Sequence, residues 1–258
     1  MIPPRANPDL FGQERAWRVL ERARHLERIP HAWLVAGPRG VGKATLAHRF
    51  ARALLAGPSG VAAATGQPDD PAFRQCAADA HPDLVVLEPP APGKGGRQRS
   101  EIGVDQVRDA TRSLHRTVAG GACRVLLVDG AEALNRNAVN ALLKPLEEPP
   151  PATVILLVSH DPFRLLPTVR SRCTVLRAAR LEVPVIERIL AAQAGDLEAP
   201  LRAQAARLCN GSAGRAFELA QGGLEAYRSL TLTLGTASRN ARGLHDLAET
   251  LRRRADVA

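Results

Sequence analysis

Aromatic residues are scarce: five Phe, two Trp and one Tyr in 258 residues. Stacking of single-stranded bases needs aromatic platforms, so binding of that kind is excluded as a main activity. A core must then be built from Leu, Val and Ala, and 45% apolar residues supply enough for one. Cysteine is also sparse. Cys76, Cys123, Cys173 and Cys209 lie far apart and form no Cys-x-x-Cys pair, which argues against zinc and against a disulfide framework. No apolar run approaches ~18 residues, and no apolar region follows the start. The expected location is cytoplasmic, with no membrane partner. Acidic residues are in deficit too: Lys and Arg exceed Asp and Glu by 35 − 26 = 9. That balance permits contact with DNA or an acidic partner, and it equally suits an Arg-rich chain from a GC-rich genome.

What is present is an alternation of helical patterns with short apolar runs. Residues 1–9 read as a loose Pro-rich arm, and Leu10 to Arg28 has helical spacing. Apolar runs follow at Trp33 to Ala36, Asp83 to Glu88, Arg124 to Asp129, Thr153 to Ser159 and Cys173 to Leu176. Helical patterns lie between them, at Thr45 to Leu55, Ile102 to His115 and Asn135 to Glu147, with Leu165 to Arg172 a short turn or helix. Continuous apolar strands fit a sheet covered on both sides, so the spacing predicts an α/β fold with a parallel sheet and helices on both faces. Gly57 to His81 reads as an irregular insertion and Pro89 to Ser100 as a low-complexity loop. After Ala178 only helical patterns remain, at Val183 to Ala194, Pro200 to Cys209 and Gly214 to Leu219. The expected division is residues 1–178 as the α/β domain, 179–223 as a small all-α lid, and 224–258 as the start of a further helical domain.

The chemistry centres on Gly37-Pro38-Arg39-Gly40-Val41-Gly42-Lys43-Ala44-Thr45. A strand, a glycine-rich turn and a helix form the context of a phosphate-binding loop. Gly37, Gly40 and Gly42 let backbone N–H groups turn inward, Lys43 adds a point charge, and the helix N-terminus adds its dipole. The pattern calls for Ser or Thr directly after the lysine to ligate Mg²⁺, but here Ala44 holds that position and Thr45 comes one residue late. Asp129 ends an apolar strand, where a carboxylate can hold Mg²⁺ behind such a loop. The next residue is Gly130 rather than a Glu that could polarise water, and Glu132 is expected to aim elsewhere. Loss of a general base typically costs ~10²–10⁴ in rate. In Ser171-Arg172-Cys173, spacing alone makes Arg172 a surface or salt-bridged arginine.

Three stretches add to this reading: HAWLVAGPRGVGKATLA, NRNAVNALLKPLEEPP and RLLPTVRSRC. With HPDL at His81 to Leu84 and EIGVDQVR at Glu101 to Arg108, they resemble the bacterial DNA polymerase III clamp loader, its delta-prime subunit in particular. The resemblance spans Phe11 to Arg177 and implies an AAA+ module: a P-loop α/β domain, a helical lid and a helical collar that joins a ring. It implies gamma/tau and delta subunits as partners, and a sliding clamp and primed DNA as what the complex handles. It assigns Arg172 as a finger acting in trans on a neighbour's ATP, and suggests a phosphate role for Arg215 in Gly211-Ser212-Ala213-Gly214-Arg215. Lys43-Ala44, Asp129-Gly130 and His160 depart from the motor subunits, so the chain's own ATP hydrolysis is not expected. Weak ATP or ADP binding is, with Mg²⁺ short of a ligand. Only Cys76 lies where many relatives carry a zinc module, so no zinc is expected. Only 35 residues follow Gly223, so a reduced or truncated collar is expected. The alternative is an autonomous P-loop ATPase such as a gamma/tau motor subunit.

Overall fold

A computed structural model describes residues 1–26, 28–56, 67–90, 101–119 and 123–224. The expected C-terminal helical segment at 224–258 lies almost wholly outside the described residues, as do most of the loop at 89–100 and residues 57–66 of the insertion. In chain order the elements are α1 (Glu14–His25), β1 (Ala32–Ala36), α2 (Lys43–Leu55), α3 (Pro71–Ala77), β2 (Leu84–Leu87), α4 (Val104–Leu114) and β3 (Arg124–Asp129). There follow α5 (Arg136–Glu147), β4 (Thr153–Ser159), α6 (Pro167–Arg170), β5 (Thr174–Arg177), α7 (Val183–Gln193), α8 (Ala199–Leu208) and α9 (Ala213–Glu218).

The five strands form one parallel sheet in the order β2-β3-β4-β1-β5. Every residue of β1 and β4 is buried, which explains their unbroken apolar sequences. Alternate side chains of each strand go to opposite faces. Leu34, Leu126, Val128, Ile155 and Leu157 pack on one face with Val107 and Leu114 of α4 and Leu142 of α5. Trp33, Val35, Val125, Leu127 and Leu156 pack on the other with Leu20 of α1 and Leu46, Phe50 and Leu54 of α2. A third core, built from Ile186, Leu190, Ala205, Ala206 and Phe217, belongs to α7–α9. The architecture is thus the expected α/β sheet followed by a helical lid.

Two local readings are corrected. Residues 71–77 form α3 instead of an irregular stretch: Pro71 stands at its first turn, and the Asp70 carboxylate accepts from the N–H groups of Ala72 and Phe73. The first nine residues are not loose. Pro4–Ala6 make a 3₁₀ turn, and the fully buried Arg52 of α2 donates to the carbonyls of Arg5 and Asn7, each at 3.1 Å. Arg49 donates to Pro8 O at 2.9 Å, and the N–H of Ile2 donates to Gln193 Oε1 of the lid at 3.1 Å. The guanidinium of Arg52 also lies over the Phe73 ring, so α3 and the arm share one anchor.

Candidate functional site

β1 runs into the glycine-rich loop and α2 leaves it, so the loop stands at the C-terminal edge of the sheet, where open α/β sheets place ligands. Each glycine has its own reason. A Cβ on Gly37 would stand 2.4 Å from Ala178 O, because β5's exit passes directly over it. Gly40 has φ +75°, and a Cβ there would meet Ser212 Oγ at 2.4 Å; the N–H of Gly214 donates to Gly40 O at 3.2 Å. The lid therefore touches the loop backbone to backbone. Gly42 has φ +92°, with open space where a side chain would begin.

Lys43 opens α2, is 6% exposed and donates from Nζ to Pro38 O at 2.6 Å. Burial lowers its pKa, while Glu132 and Asp129 act to raise it. Asp129 is pushed up to about 6, chiefly by burial and then by Glu88. Glu132 does not aim elsewhere, as the sequence had suggested. Gly130 takes a left-handed conformation at φ +83°, and the 3₁₀ turn Ala131–Ala133 that follows brings Glu132 back onto the same cavity, against His160 Nδ1. The cavity has a volume of about 1040 Å³, and Gly40, Gly42, Lys43, Thr45, Asp129 and Glu132 stand on its wall. Residues of the N-terminal arm, Ile2, Pro4 and Asn7 among them, form another part of that wall.

Of the residues singled out from sequence, Gly40, Gly42, Lys43, Thr45 and Asp129 are brought together. Gly37 supports the loop from below and does not line the cavity. Arg215 is exposed on α9 and does not line it either; Ser212 Oγ accepts its backbone N–H at 3.2 Å as the helix cap. Arg172 follows α6 and does not line the cavity, and its side chain is 34% exposed. It donates to Glu147 Oε1 at 2.7 Å and to Thr168 O at 2.9 Å. Nearby, Arg170 lies over the ring of Phe163, which is 84% exposed.

Sequence reasoning missed Gln13. Its side chain is 2% exposed: Nε2 donates to Val41 O at 2.9 Å and to Ala179 O at 2.8 Å, and Oε1 accepts the Ala179 N–H at 3.2 Å. One amide thus ties the glycine-rich loop to the start of the lid. No sequence signal pointed to it: Gln13 stands at the N-cap of α1 without capping it, after a Gly12 at φ +72°, and only the fold shows either.

The residues present fit a phosphate, since cradle glycines, Lys43 and a helix N-terminus converge. They fit Mg²⁺ less well, since Ala44 offers no hydroxyl.

Comparison with known proteins agrees with this geometry. A sequence model of the family described as "DNA polymerase III, delta subunit" matches residues 12–182. The chain is 46% identical over 162 residues to DNA polymerase III subunit delta' of Pseudomonas aeruginosa, covering 62% of this chain and 46% of that protein. It is 35% identical over 196 residues to subunit delta' of Escherichia coli, covering 74% of this chain and 55% of the other. Subunit tau of Escherichia coli is 33% identical over 183 residues, covering 71% and 27% respectively. The chain therefore spans about half the length of the delta-prime relatives it matches. Among solved structures, the Thermotoga maritima RuvB Holliday junction branch migration motor superposes with a TM-score of 0.52 at 19% identity, covering 96% of this chain and 74% of that one. That likeness concerns the fold alone. The family match takes in the sheet, the phosphate cradle and the arginine turn after β4, more than half of the chain, and on that ground the chain belongs to the DNA polymerase III delta subunit family, with delta-prime subunits among its relatives.

Proposed function

We propose that this chain is a stator-like, delta-prime subunit of a DNA polymerase III clamp loader. In this role it supplies Arg172 to the ATP of a neighbouring gamma/tau subunit while the ring loads the sliding clamp on primed DNA. One observation carries the reading: a motif arginine is held at the surface, away from the chain's own cavity, while that cavity lacks both the hydroxyl after Lys43 and a carboxylate at position 130. An arginine supplied in trans offsets the charge that develops on the transferred phosphoryl group and is worth ~10³–10⁵ in turnover. Delta would be the other partner, and the compartment would be the cytoplasm. Among the described residues no helix is long and apolar enough to cross a membrane.

In the chain's own cavity, Gly40, Gly42 and Lys43 would hold the phosphates of a weakly bound ATP or ADP, and Asp129 or Thr45 would be left to meet any Mg²⁺. Calorimetric titration with each nucleotide, with and without Mg²⁺, tests this. The finger is tested by reconstituting the ring with Arg172→Ala. ATP turnover at the interface it serves should fall by at least ~10³, and undiminished DNA-stimulated turnover and clamp loading would refute the role.

A second reading has one observation in its favour. Glu132, its side chain 5% exposed, stands on the wall shared with Lys43 and Asp129, so the cavity does hold a second carboxylate. Steady ATP turnover by the isolated chain, abolished by Lys43→Ala, would establish an autonomous ATPase instead.

A further inference from the structure

Arg172 does not stand alone on the surface. Its Nη2 donates to Glu147 Oε1 at 2.7 Å, and its Nη1 donates to Thr168 O at 2.9 Å, with Ser171 Oγ at 3.4 Å. Glu147 is the last residue of α5, and Thr168 lies in the single turn of α6. Two helices from different parts of the chain thus present acceptors to one guanidinium. We propose that Glu147 is the positioning residue for Arg172: it holds the guanidinium in the orientation in which a neighbouring subunit's triphosphate meets it. This inference rests on the finger role proposed above.

The chemistry of arginine supports holding over trapping. A guanidinium carries five N–H donors in a rigid fork, so a carboxylate on one edge and a carbonyl on another leave donors for a phosphate. The side chain keeps 34% of its surface open, and Glu147 keeps 49%. A pair so exposed is a weak one, because solvent screens it. It cannot outcompete a polyphosphate for the arginine. It can still bias the rotamers of a long exposed side chain and so reduce the freedom lost on docking. Arg170 is engaged separately, over the Phe163 ring, and does not share these acceptors in the structure.

The test is a double-mutant cycle in the fully assembled ring, with kcat and KM for ATP measured separately. Glu147→Ala should lower kcat roughly three- to tenfold, the size expected for freeing one rotamer-rich side chain, and leave KM within about twofold. Glu147→Asp should recover part of the loss. In an Arg172→Ala background, Glu147→Ala should cost nothing further, because its effect passes through the arginine. Turnover by Glu147→Ala equal to or above wild type would overturn the inference, the latter result meaning that the carboxylate parks the arginine out of reach. A loss that persists undiminished in the Arg172→Ala background would overturn it too, since Glu147 would then act through the fold. If Arg172→Ala alone left turnover intact, the finger reading itself would fall, and positioning by Glu147 with it.

Discussion

Glu132 and His160 face each other on the cavity wall, a carboxylate only 5% exposed against the Nδ1 of an imidazole that is 43% exposed. Neither carboxylate oxygen of Glu132 has a hydrogen-bonding partner among the described residues, so the side chain is left with its ion-pair contact to His160. A buried carboxylate held from one side depends heavily on that side. His160→Ala should lower stability by about 1–3 kcal/mol, read as a shift in the urea midpoint at constant slope. His160→Asn, which keeps a donor, should lose less. An unchanged midpoint in His160→Ala would mean that Lys43 or solvent serves the carboxylate instead.

Two buried groups give this chain opposing responses to pH. Asp129 has its pKa pushed up to about 6, so the folded state holds its proton more tightly than the unfolded chain. Its contribution is favourable below about pH 4 and is lost as pH rises through about 6. His48 of α2 is pushed down to about 4, by burial and then by Arg52 and Arg5. Its contribution is present above about pH 6.5 and is lost as pH falls through about 4. Asp129→Asn should therefore gain stability at neutral pH, by up to about 3 kcal/mol, and converge on wild type near pH 4. His48→Gln should show the reverse trend, its deficit against wild type shrinking toward acid. Urea titrations of the three proteins across this range provide the check, and two variant curves parallel to wild type would refute both assignments.

The contact of the lid with the phosphate loop can be isolated by comparing two glycines. Gly40 and Gly42 both have positive φ, so alanine strains either backbone, by about 1 kcal/mol or more. Only at Gly40 would the new Cβ also meet the lid, at Ser212 Oγ and the Gly214 backbone. Gly40→Ala should thus be the more destabilising of the two and should expose residues 178–182 to limited proteolysis, while Gly42→Ala should not. Measured against Ser212→Ala alone, which itself removes the cap of α9, the cost of Gly40→Ala should be smaller than in wild type without vanishing, because the Gly214 backbone at 3.0 Å stays in the way. Equal proteolysis of the two variants would show that the lid does not bear on Gly40.

Most of the sheet could be read from sequence because its central strands β1, β3 and β4 are covered on both faces. β3 and β4 follow the apolar runs Arg124–Asp129 and Thr153–Ser159 residue for residue. Five of the seven residues singled out for a nucleotide role, Gly40, Gly42, Lys43, Thr45 and Asp129, do line the cavity, since a glycine-rich turn between strand and helix and a carboxylate at a strand end can be read locally. What escaped was set by tertiary contact. Glu132 returns to the site only because Gly130 adopts φ +83° ahead of a 3₁₀ turn, which no periodicity encodes. Gln13 works by bonding three backbone groups of distant segments, and a neutral amide beside a charged helix gives no pattern. Helix α3 was hidden by its composition, although Asp70-Pro71 carries both a cap and a first-turn proline.

Helix α2 has a mechanical consequence for the molecule. Lys43 forms its first turn at the cradle, and Arg52, near its other end, grips the carbonyls of the N-terminal arm. At 1.5 Å per residue these two side chains stand about 14 Å apart along one rod. Leu46, Phe50 and Ala51 between them are buried in the core, where close packing resists bending of the rod in its middle. A tug on the arm would therefore arrive at the cradle as displacement of Lys43, and strain from the cradle would travel outward by the same shaft.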